Sequence, residues 1–193
     1  MKIAIIDYGS GNLRSAAKAF ERTVQEAGRS DVVQVTANAD DVAGADRIVL
    51  PGVGAFADCR AGLAALDGMQ EALISSVRDK GRPFLGICIG MQLMATRGLE
   101  HGETPGFDWI DGEVAPLNPS DKTLKIPHMG WNMLNLSTTT HPVFIGLAAD
   151  AHAYFVHSFA MQCGKATDVL ATVEYGGTVT AAIGHDNMVG TQF

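Results

Sequence analysis

The sequence lacks the features that tie a protein to nucleic acid or to a membrane. Its 193 residues include 14 Lys and Arg against 21 Asp and Glu, a net charge of −7, and the basic residues form no block. Proteins that bind nucleic acid depend on clustered cations, so this composition argues against that class. No stretch approaches the roughly 18 apolar residues of a membrane span. The apolar run at 3–6 is too short for a secretory signal.

Cysteine is also scarce. Cys59, Cys88 and Cys163 are the three cysteines, an odd number with no metal-type spacing. Disulfide frameworks and structural metal sites need paired or closely spaced cysteines, so we expect reduced thiols, a cytoplasmic location, no metal and no cofactor. His152 and His157 are five residues apart in a predicted strand and therefore face opposite sides, which is unfavourable for a shared metal.

The first half of the chain alternates between short apolar runs and helical segments. The runs are bounded by turn residues and predict buried strands at 3–6, 32–35, 47–50 and 84–87. Helical character is found at 12–27, at 58–80 with a break near 67–68, and at 89–97. This alternation predicts right-handed crossovers and a doubly wound, flavodoxin-like α/β fold with a mostly parallel sheet.

From residue 111 onward the pattern changes. Segments rich in β-formers follow one another with turn signals between them, at 112–117, 130–136, 153–159, 169–175, 179–183 and 188–193. Such a series predicts antiparallel additions to the sheet. Residues 137–141 are a polar loop, and we find no repeat or linker, so one domain spanning 1–193 is predicted.

The sharpest chemical signal is a G-x-C-x-G motif, with Cys88 between Gly86 and Gly90, at a strand-to-helix junction. This is the thiol version of the nucleophile elbow. Side chains at the two glycine positions would crowd the backbone of the tight turn, and the positive end of the following helix would lower the pKa of the thiol. The alternative is a structural cysteine between two ordinary strand-end glycines.

A second turn, residues 51–54, follows the neighbouring strand and contains Gly52 and Gly54. Its backbone N–H groups could supply half of an oxyanion hole, with the N–H of Ile89 supplying the other half; the alternative is a plain strand-exit turn. The carboxyl ends of parallel strands lie at one edge, so this turn, 8–12 and 86–90 should gather there. Residues 9–11 do not make a dinucleotide fingerprint, because Arg14 stands where a third glycine is required.

Several motifs together resemble the class I glutamine amidotransferases. They lie, in the family's order, at 6–12, 50–56, 86–93, 127–132, 154–159 and 190–193. The elbow alone is typical of the whole class, so a glutaminase of another pathway is the alternative. The segment 127–132 resembles the glutaminase subunit of imidazole glycerol phosphate synthase, an enzyme of histidine biosynthesis.

The resemblance implies an amidohydrolase. Cys88 would attack the side-chain amide of L-glutamine, giving a glutamyl thioester and ammonia, and water would then release glutamate. N–H groups at Val53, Gly54 and Ile89 would form the oxyanion hole. The implied substrate-binding residues are Gly52, Gln92, Glu100, Ser158 and Phe159. Residues 96–103 depart from the family's acidic pattern, which makes Glu100 the least certain of these assignments.

The resemblance also implies a heterodimer with a cyclase subunit that receives the ammonia. The implied interface residues are Asn12, His128, Met129, Trp131 and Asn132. Met and Trp are enriched at interfaces, whereas the alternative for Trp131 is a core position under the added strands. From their sequence neighbours alone, His128, His141 and His185 are expected at loops or edges.

A cysteine amidase also needs a base and a group that orients it. The resemblance implies a His-Pro-Glu segment and a closing helix directly after 190–193, and the sequence contains neither. His157 aligns with a histidine that the family already has, and His185 is expected in a turn opposite the elbow. We therefore weigh a working glutaminase against a truncated, inactive docking subunit. A redox sensor at Cys88, paired with Cys59 or Cys163, is a third hypothesis.

Overall fold

The first half of the molecule alternates strands and helices as predicted. A computed structural model describes residues 1–137 and 141–193, so most of the predicted loop at 137–141 lies outside the described residues. The elements are β1 (Lys2–Ile6), α1 (Leu13–Glu26), β2 (Val32–Thr36), α2 (Ala39–Ala43), β3 (Arg47–Gly52), α3 (Phe56–Ala64), α4 (Met69–Leu73), a π-helical segment (Ile74–Asp79), β4 (Phe84–Cys88) and α5 (Ile89–Gln92). The predicted helix break is confirmed at Gly68, which has a φ of 69°. The helix predicted over 89–97 is shorter, because the chain turns into a strand at Ala95.

The second half is rich in strands. They are β5 (Ala95–Gly98), β6 (Thr104–Pro105), β7 (Ile110–Pro116), β8 (His128–Met133), β9 (Asn135–Leu136), β10 (His152–His157), β11 (Phe159–Cys163), β12 (Val169–Glu174), β13 (Thr178–His185) and β14 (Met188–Thr191). The predicted β-rich segments are confirmed, although the one at 153–159 divides at Ser158 and joins two different sheets. Four elements, α2, β5, β6 and β11, were not predicted from the sequence.

The central sheet has eight strands in the order β2-β1-β3-β4-β14-β13-β12-β9. Strands β2, β1, β3, β4 and β14 are parallel, and β13, β12 and β9 add in antiparallel fashion. Two expectations were wrong. Strand β14 is parallel to β4, because the tight turn after β13 reverses the chain a second time. The other late strands form separate sheets, β10-β8 and β11-β7-β5-β6, rather than extending the central one.

Both faces of the central parallel strands β1, β3 and β4 are covered. Ile3, Ile5 and Val49 pack under α1, while alternate residues of the same strands, such as Ile6 and Leu50, join the larger core beneath α3 and α4. Side chains of a strand alternate between faces, so near-continuous apolar runs are what a sheet covered on both sides requires. The carboxyl ends of β1, β3, β4 and β14 consequently open at one edge. Within the described ranges, no helix has the length and apolar character needed to cross a membrane.

Candidate active site

Cys88 occupies a strained turn between β4 and α5. Its φ of 56° and ψ of −113° lie outside the regions that a residue with a Cβ ordinarily adopts. A Cβ on Gly86 would lie 2.5 Å from the carbonyl oxygen of Gly90, and one on Gly90 would overlap the carbonyl oxygen of Leu50. The predicted crowding at both glycines is therefore confirmed, and the turn presents the sulfur at the edge of the sheet.

The protonation expected for Cys88 was wrong. Burial raises the pKa of this thiol above its ordinary value, and hydrogen bonds to the sulfur from the Ile89 N–H and the Gln192 amide only partly oppose the effect. Helix α5 has four residues, so few aligned peptide dipoles act on the sulfur. A base therefore has to take the proton of this thiol during attack.

The sulfur opens into a cavity of about 460 Å³, a size that suits a small-molecule ligand. Eight of the predicted site residues line it together: Val53, Gly54, Cys88, Ile89, Gln92, Glu100, Ser158 and Phe159. The lining also contains residues that the sequence analysis did not assign to the site: Pro127, Tyr154, Val156, His157, Gln192 and Phe193. Loops from both halves of the chain thus meet around Cys88.

The predicted oxyanion turn is held by a side chain that the sequence analysis missed. The Val53 N–H donates to Ser10 Oγ at 3.2 Å, and the Ser10 hydroxyl donates to the Val53 carbonyl oxygen. Cys59 Sγ donates to the same carbonyl at 3.4 Å. In this conformation the Val53 N–H is committed to Ser10, so it can serve an oxyanion only after that bond breaks. A Cβ on Gly52 would lie 2.5 Å from the Tyr8 hydroxyl, which accounts for the glycine.

Glu100, in the cavity lining, binds the start of α3, which directly follows this turn. Its Oε2 accepts a hydrogen bond from the backbone N–H of Phe56 at 2.8 Å. Phe56 begins α3, and the preceding Ala55 has no polar side chain to cap that helix. The Glu100 carboxylate therefore caps the N-terminus of α3 from a distant part of the chain.

Two buried glutamines connect the cavity wall to Cys88. Gln92 Nε2 donates to the Phe159 carbonyl oxygen at 3.2 Å and to Gln192 Oε1 at 2.9 Å. Gln192 Nε2 lies 3.6 Å from Cys88 Sγ and donates to it. The parallel register of β14 against β4 pairs Thr191 with Ile87, which places the next residue, Gln192, beside the nucleophile. If this pairing could have been predicted from the sequence, Gln192 would have been assigned to the site.

Two histidines, His128 and His157, are buried and contact each other, whereas His152 and His185 lie elsewhere. His128 lies in β8, an edge strand as expected, but its side chain is buried, and its Nδ1 lies 3.1 Å from Nε2 of His157. His152 is exposed and His157 buried, so their predicted opposite orientation is confirmed. His185 lies at the far end from the elbow, as expected, where it contacts Asp168 at 3.1 Å. Across the described part of the chain, no three His, Cys, Asp or Glu side chains are grouped to hold a metal ion.

Strands β8 and β10 present an apolar face to solvent. The exposed fraction is 72% for Trp131 and 60% for Met129, and the Trp131 and Tyr154 rings meet edge to face at 5.6 Å. This exposure excludes the core position considered for Trp131, and a contiguous exposed apolar face marks an interaction surface. His128 and Asn132 point the other way, because side chains alternate along a strand. His128 is buried and Asn132 only partly exposed, so their contact with a partner stays a prediction.

Asn12 is exposed at the start of α1. Its side chain makes no capping hydrogen bond with that helix. The predicted position of the helix start is confirmed, and the amide of Asn12 faces solvent at the edge of the sheet that carries the cavity.

Comparisons with known proteins agree with this geometry. The sequence model of the family described as "Glutamine amidotransferase class-I" matches residues 4–193. The chain is 59% identical over 196 residues to the "Imidazole glycerol phosphate synthase subunit HisH" of Brucella suis biovar 1 (strain 1330), covering 100% of this chain and 90% of that protein. It is 53% identical over 193 residues to the protein of the same name from Rhodospirillum rubrum, again covering 100% and 90%.

Solved structures support the fold. A glutamine amidotransferase superposes with a TM-score of 0.71 at 15% identity, over 99% of this chain and 88% of that one. A second, from Thermotoga maritima, gives 0.68 at 16% identity, over 100% and 75%. The predicted α/β fold is thus confirmed, and the sequence similarity adds the finer placement. The chain belongs to the class I glutamine amidotransferases and, within them, to the HisH subunits of imidazole glycerol phosphate synthase.

Proposed function

We propose that the chain is the glutaminase subunit of an imidazole glycerol phosphate synthase, which hydrolyses L-glutamine in histidine biosynthesis. One observation carries the proposal: Cys88 sits in a strained elbow and opens into a cavity lined by the residues assigned to glutamine. The redox-sensor hypothesis is less favoured, because burial raises the pKa of the Cys88 thiol, whereas sensor cysteines are low-pKa thiolates.

The reaction begins when Cys88 Sγ attacks the side-chain carbonyl carbon of glutamine. A base takes the thiol proton, and a tetrahedral intermediate forms. The intermediate collapses as the base returns that proton to the amide nitrogen, so ammonia leaves and a glutamyl thioester remains. Water then attacks the thioester, which releases glutamate and restores the thiol.

We assign the base to a histidine paired with a glutamate, as the resemblance implies, and not to His157. His157 lines the cavity, but its Nδ1 is engaged with the Phe159 carbonyl at 2.9 Å and its Nε2 with His128. Taking a proton from Cys88 would break one of these bonds. We further propose that residues 1–193 form one amidotransferase domain.

Substrate and oxyanion contacts follow from the lining. We assign Gln92 and the backbone of Ser158 and Phe159 to glutamine, because the Phe159 carbonyl and the Gln92 amide are already aligned by a hydrogen bond at 3.2 Å. The Ile89 N–H, next to the nucleophile in the chain and in the cavity lining, is assigned as one oxyanion donor. The Val53 N–H becomes the second when Ser10 releases it.

The partner is proposed to be a cyclase subunit that covers the exposed face of β8 and β10. Trp131 and Met129 give that face the large apolar side chains that anchor interfaces. The cavity is lined by Tyr154 and Val156 of the same strand pair, so a partner seated on this face would close the route by which ammonia meets solvent. A cytoplasmic location accompanies this proposal.

A chloroketone analogue of glutamine tests the nucleophile and the glutamine site without the proton return that ammonia release requires. We expect alkylation to saturate with analogue concentration, to be slowed by L-glutamine and to fall on Cys88, as mapped by peptide mass spectrometry. Cys88→Ala should abolish it and Cys163→Ala should not, because Cys163 lies outside the cavity lining. Labelling that neither saturates nor responds to glutamine would overturn the proposal. Ammonia release with the cyclase present, lost in Cys88→Ala, tests the complete reaction.

A further inference from the structure

A line of hydrogen bonds runs from strand β8 into the cavity wall. Asn132 Nδ2 lies 3.4 Å from His128 Nε2, and His128 Nδ1 lies 3.1 Å from His157 Nε2. His157 Nδ1 lies 2.9 Å from the carbonyl oxygen of Phe159. That carbonyl is also the acceptor for Gln92, so the line meets the glutamine pair that ends at the Cys88 sulfur.

The direction of every bond in this line is determined by its two ends. The Phe159 carbonyl can only accept, so His157 carries its proton on Nδ1 and accepts at Nε2. His128 must then donate from Nδ1 and accept at Nε2. Asn132 supplies that donor. Its oxygen accepts the Met133 N–H at 2.9 Å and its amide also donates to the Glu174 carbonyl at 2.9 Å, so the NH₂ group faces His128.

The two rings are neutral in this arrangement. Burial lowers the pKa of His128 to about 4 and also lowers the pKa of His157. Tyr175 and Phe155 stack on His128, with ring centroids at 3.9 and 4.9 Å, so the groups packed on its faces are aromatic rather than charged. A second proton on either ring would place two N–H groups face to face, so the arrangement holds only while each ring has one proton.

We infer that His128 and His157 are positioning residues: they hold the Phe159 carbonyl, and with it Gln92, in register with strand β8. Only the last step, that this carbonyl and Gln92 serve glutamine, rests on the proposed function. Strand β8 carries Trp131 on its outer face and His128 with Asn132 on its inner face. A displacement of β8 at the outer face therefore reaches the cavity through the histidine pair, which makes the pair a connection between docking and substrate binding.

Nitrogen-15 NMR of the full chain with labelled histidine tests the bond directions. We expect His128 and His157 both to be protonated at Nδ1 and bare at Nε2 at pH 7. The spectrum of His152→Gln, which removes an exposed ring from the same strand, aids assignment. Finding either ring of the pair protonated at Nε2 instead would overturn the inference, and this test needs neither substrate nor a variant of the pair.

Asn132→Asp tests whether a change in β8 reaches the far ring. A carboxylate at 132 only accepts, so His128 carries a proton on Nε2, while the Phe159 carbonyl still requires the proton on His157 Nδ1. The pair then holds one extra proton, which lies in the hydrogen bond between His128 Nδ1 and His157 Nε2 and is shared by the two nitrogens. We expect the His157 Nε2 signal to move toward the protonated range at pH 7. Asn135→Asp, an exposed position in β9, is the matched control. An unchanged His157 signal in Asn132→Asp would contradict the connection.

Two substitutions of His157 separate its two bonds. Asn places its amide where Nδ1 was and keeps the donor to Phe159, whereas Gln reaches the position of Nε2 and loses that donor. With the chloroketone analogue we expect His157→Gln to raise the half-saturating concentration about 5-fold and His157→Asn to raise it less than 2-fold. Equal effects would refute the positioning role. If the wild-type chain shows no saturable labelling, the proposed function fails, while the NMR outcomes still decide the inference.

Discussion

Acidification should destabilise this protein through a buried neutral histidine. His128 has a pKa of about 4 in the folded chain against 6.5 as its ordinary value. The unfolded chain therefore binds more protons than the folded chain between these pH values. The contribution of His128 to the free energy of unfolding is complete above about pH 6.5 and is lost as the pH drops toward 4. The difference between these two pKa values sets a limit of about 3 kcal/mol on this loss, most of which falls between pH 7 and 4.5.

Urea unfolding followed by tryptophan fluorescence at several pH values between 7 and 4.5 measures this loss. His128→Phe keeps a ring between Tyr175 and Phe155 but cannot titrate, so its stability should fall less steeply with pH than that of the wild type. The comparison uses the change of the unfolding free energy with pH rather than its absolute value, because the variant also leaves the His157 Nε2 without its donor. His152→Gln should follow the wild type, because that ring is exposed. Parallel curves for the wild type and His128→Phe would refute the assignment of the acid loss to this residue.

Three further substitutions test other parts of the structure. Trp131→Ala should weaken cyclase binding by at least 2 kcal/mol, on the order expected for an interface anchor, with little change in Tm; a large Tm loss at unchanged affinity would return Trp131 to a structural role. Ser10→Ala should raise cyclase-independent glutamine hydrolysis, or chloroketone labelling, by about 5-fold, since it removes the acceptor that holds the Val53 N–H; an unchanged rate would show that Ser10 does not restrain the turn. Gly90→Ala should destabilise the fold by more than about 3 kcal/mol in urea unfolding, because its Cβ overlaps a carbonyl oxygen; a near-native midpoint would contradict the close approach of α5 to β3.

Features of the fold that depend on local sequence could be predicted. Apolar runs and turn residues located β1 to β4, and the glycines around Cys88 identified the elbow, because steric crowding in a tight turn involves only adjacent residues. The order of strands in the sheet depends on contacts between distant parts of the chain and could not be predicted in this way. Strand β14 pairs with β4 across about a hundred residues of chain, and the pattern of residues 188–193 is the same for a parallel and an antiparallel strand.

The difference between local patterns and long-range contacts also separates the site residues that were predicted from those that were not. The resemblance supplied Gln92 and Phe159, whereas Gln192 enters the site only through the register of β14. The pKa expected for Cys88 was wrong because it came from the adjacent helix, while burial by distant loops has the larger effect. From its turn-forming neighbours His128 was expected at a loop or edge, and the alternation along β8, which turns its side chain inward, was not foreseen.

Strand β8 has a consequence for which changes of sequence the protein can accept. Its outward and inward side chains have different tasks, and the two sets are separated by a single position along the strand. Substitutions affect one set at a time. Inserting or deleting one residue would exchange the sets, turning Trp131 into the space of the histidine pair and His128 toward solvent. Changes of length in this part of the chain should therefore be confined to the loops on either side of β8, even where the strand itself tolerates substitution of its exposed residues.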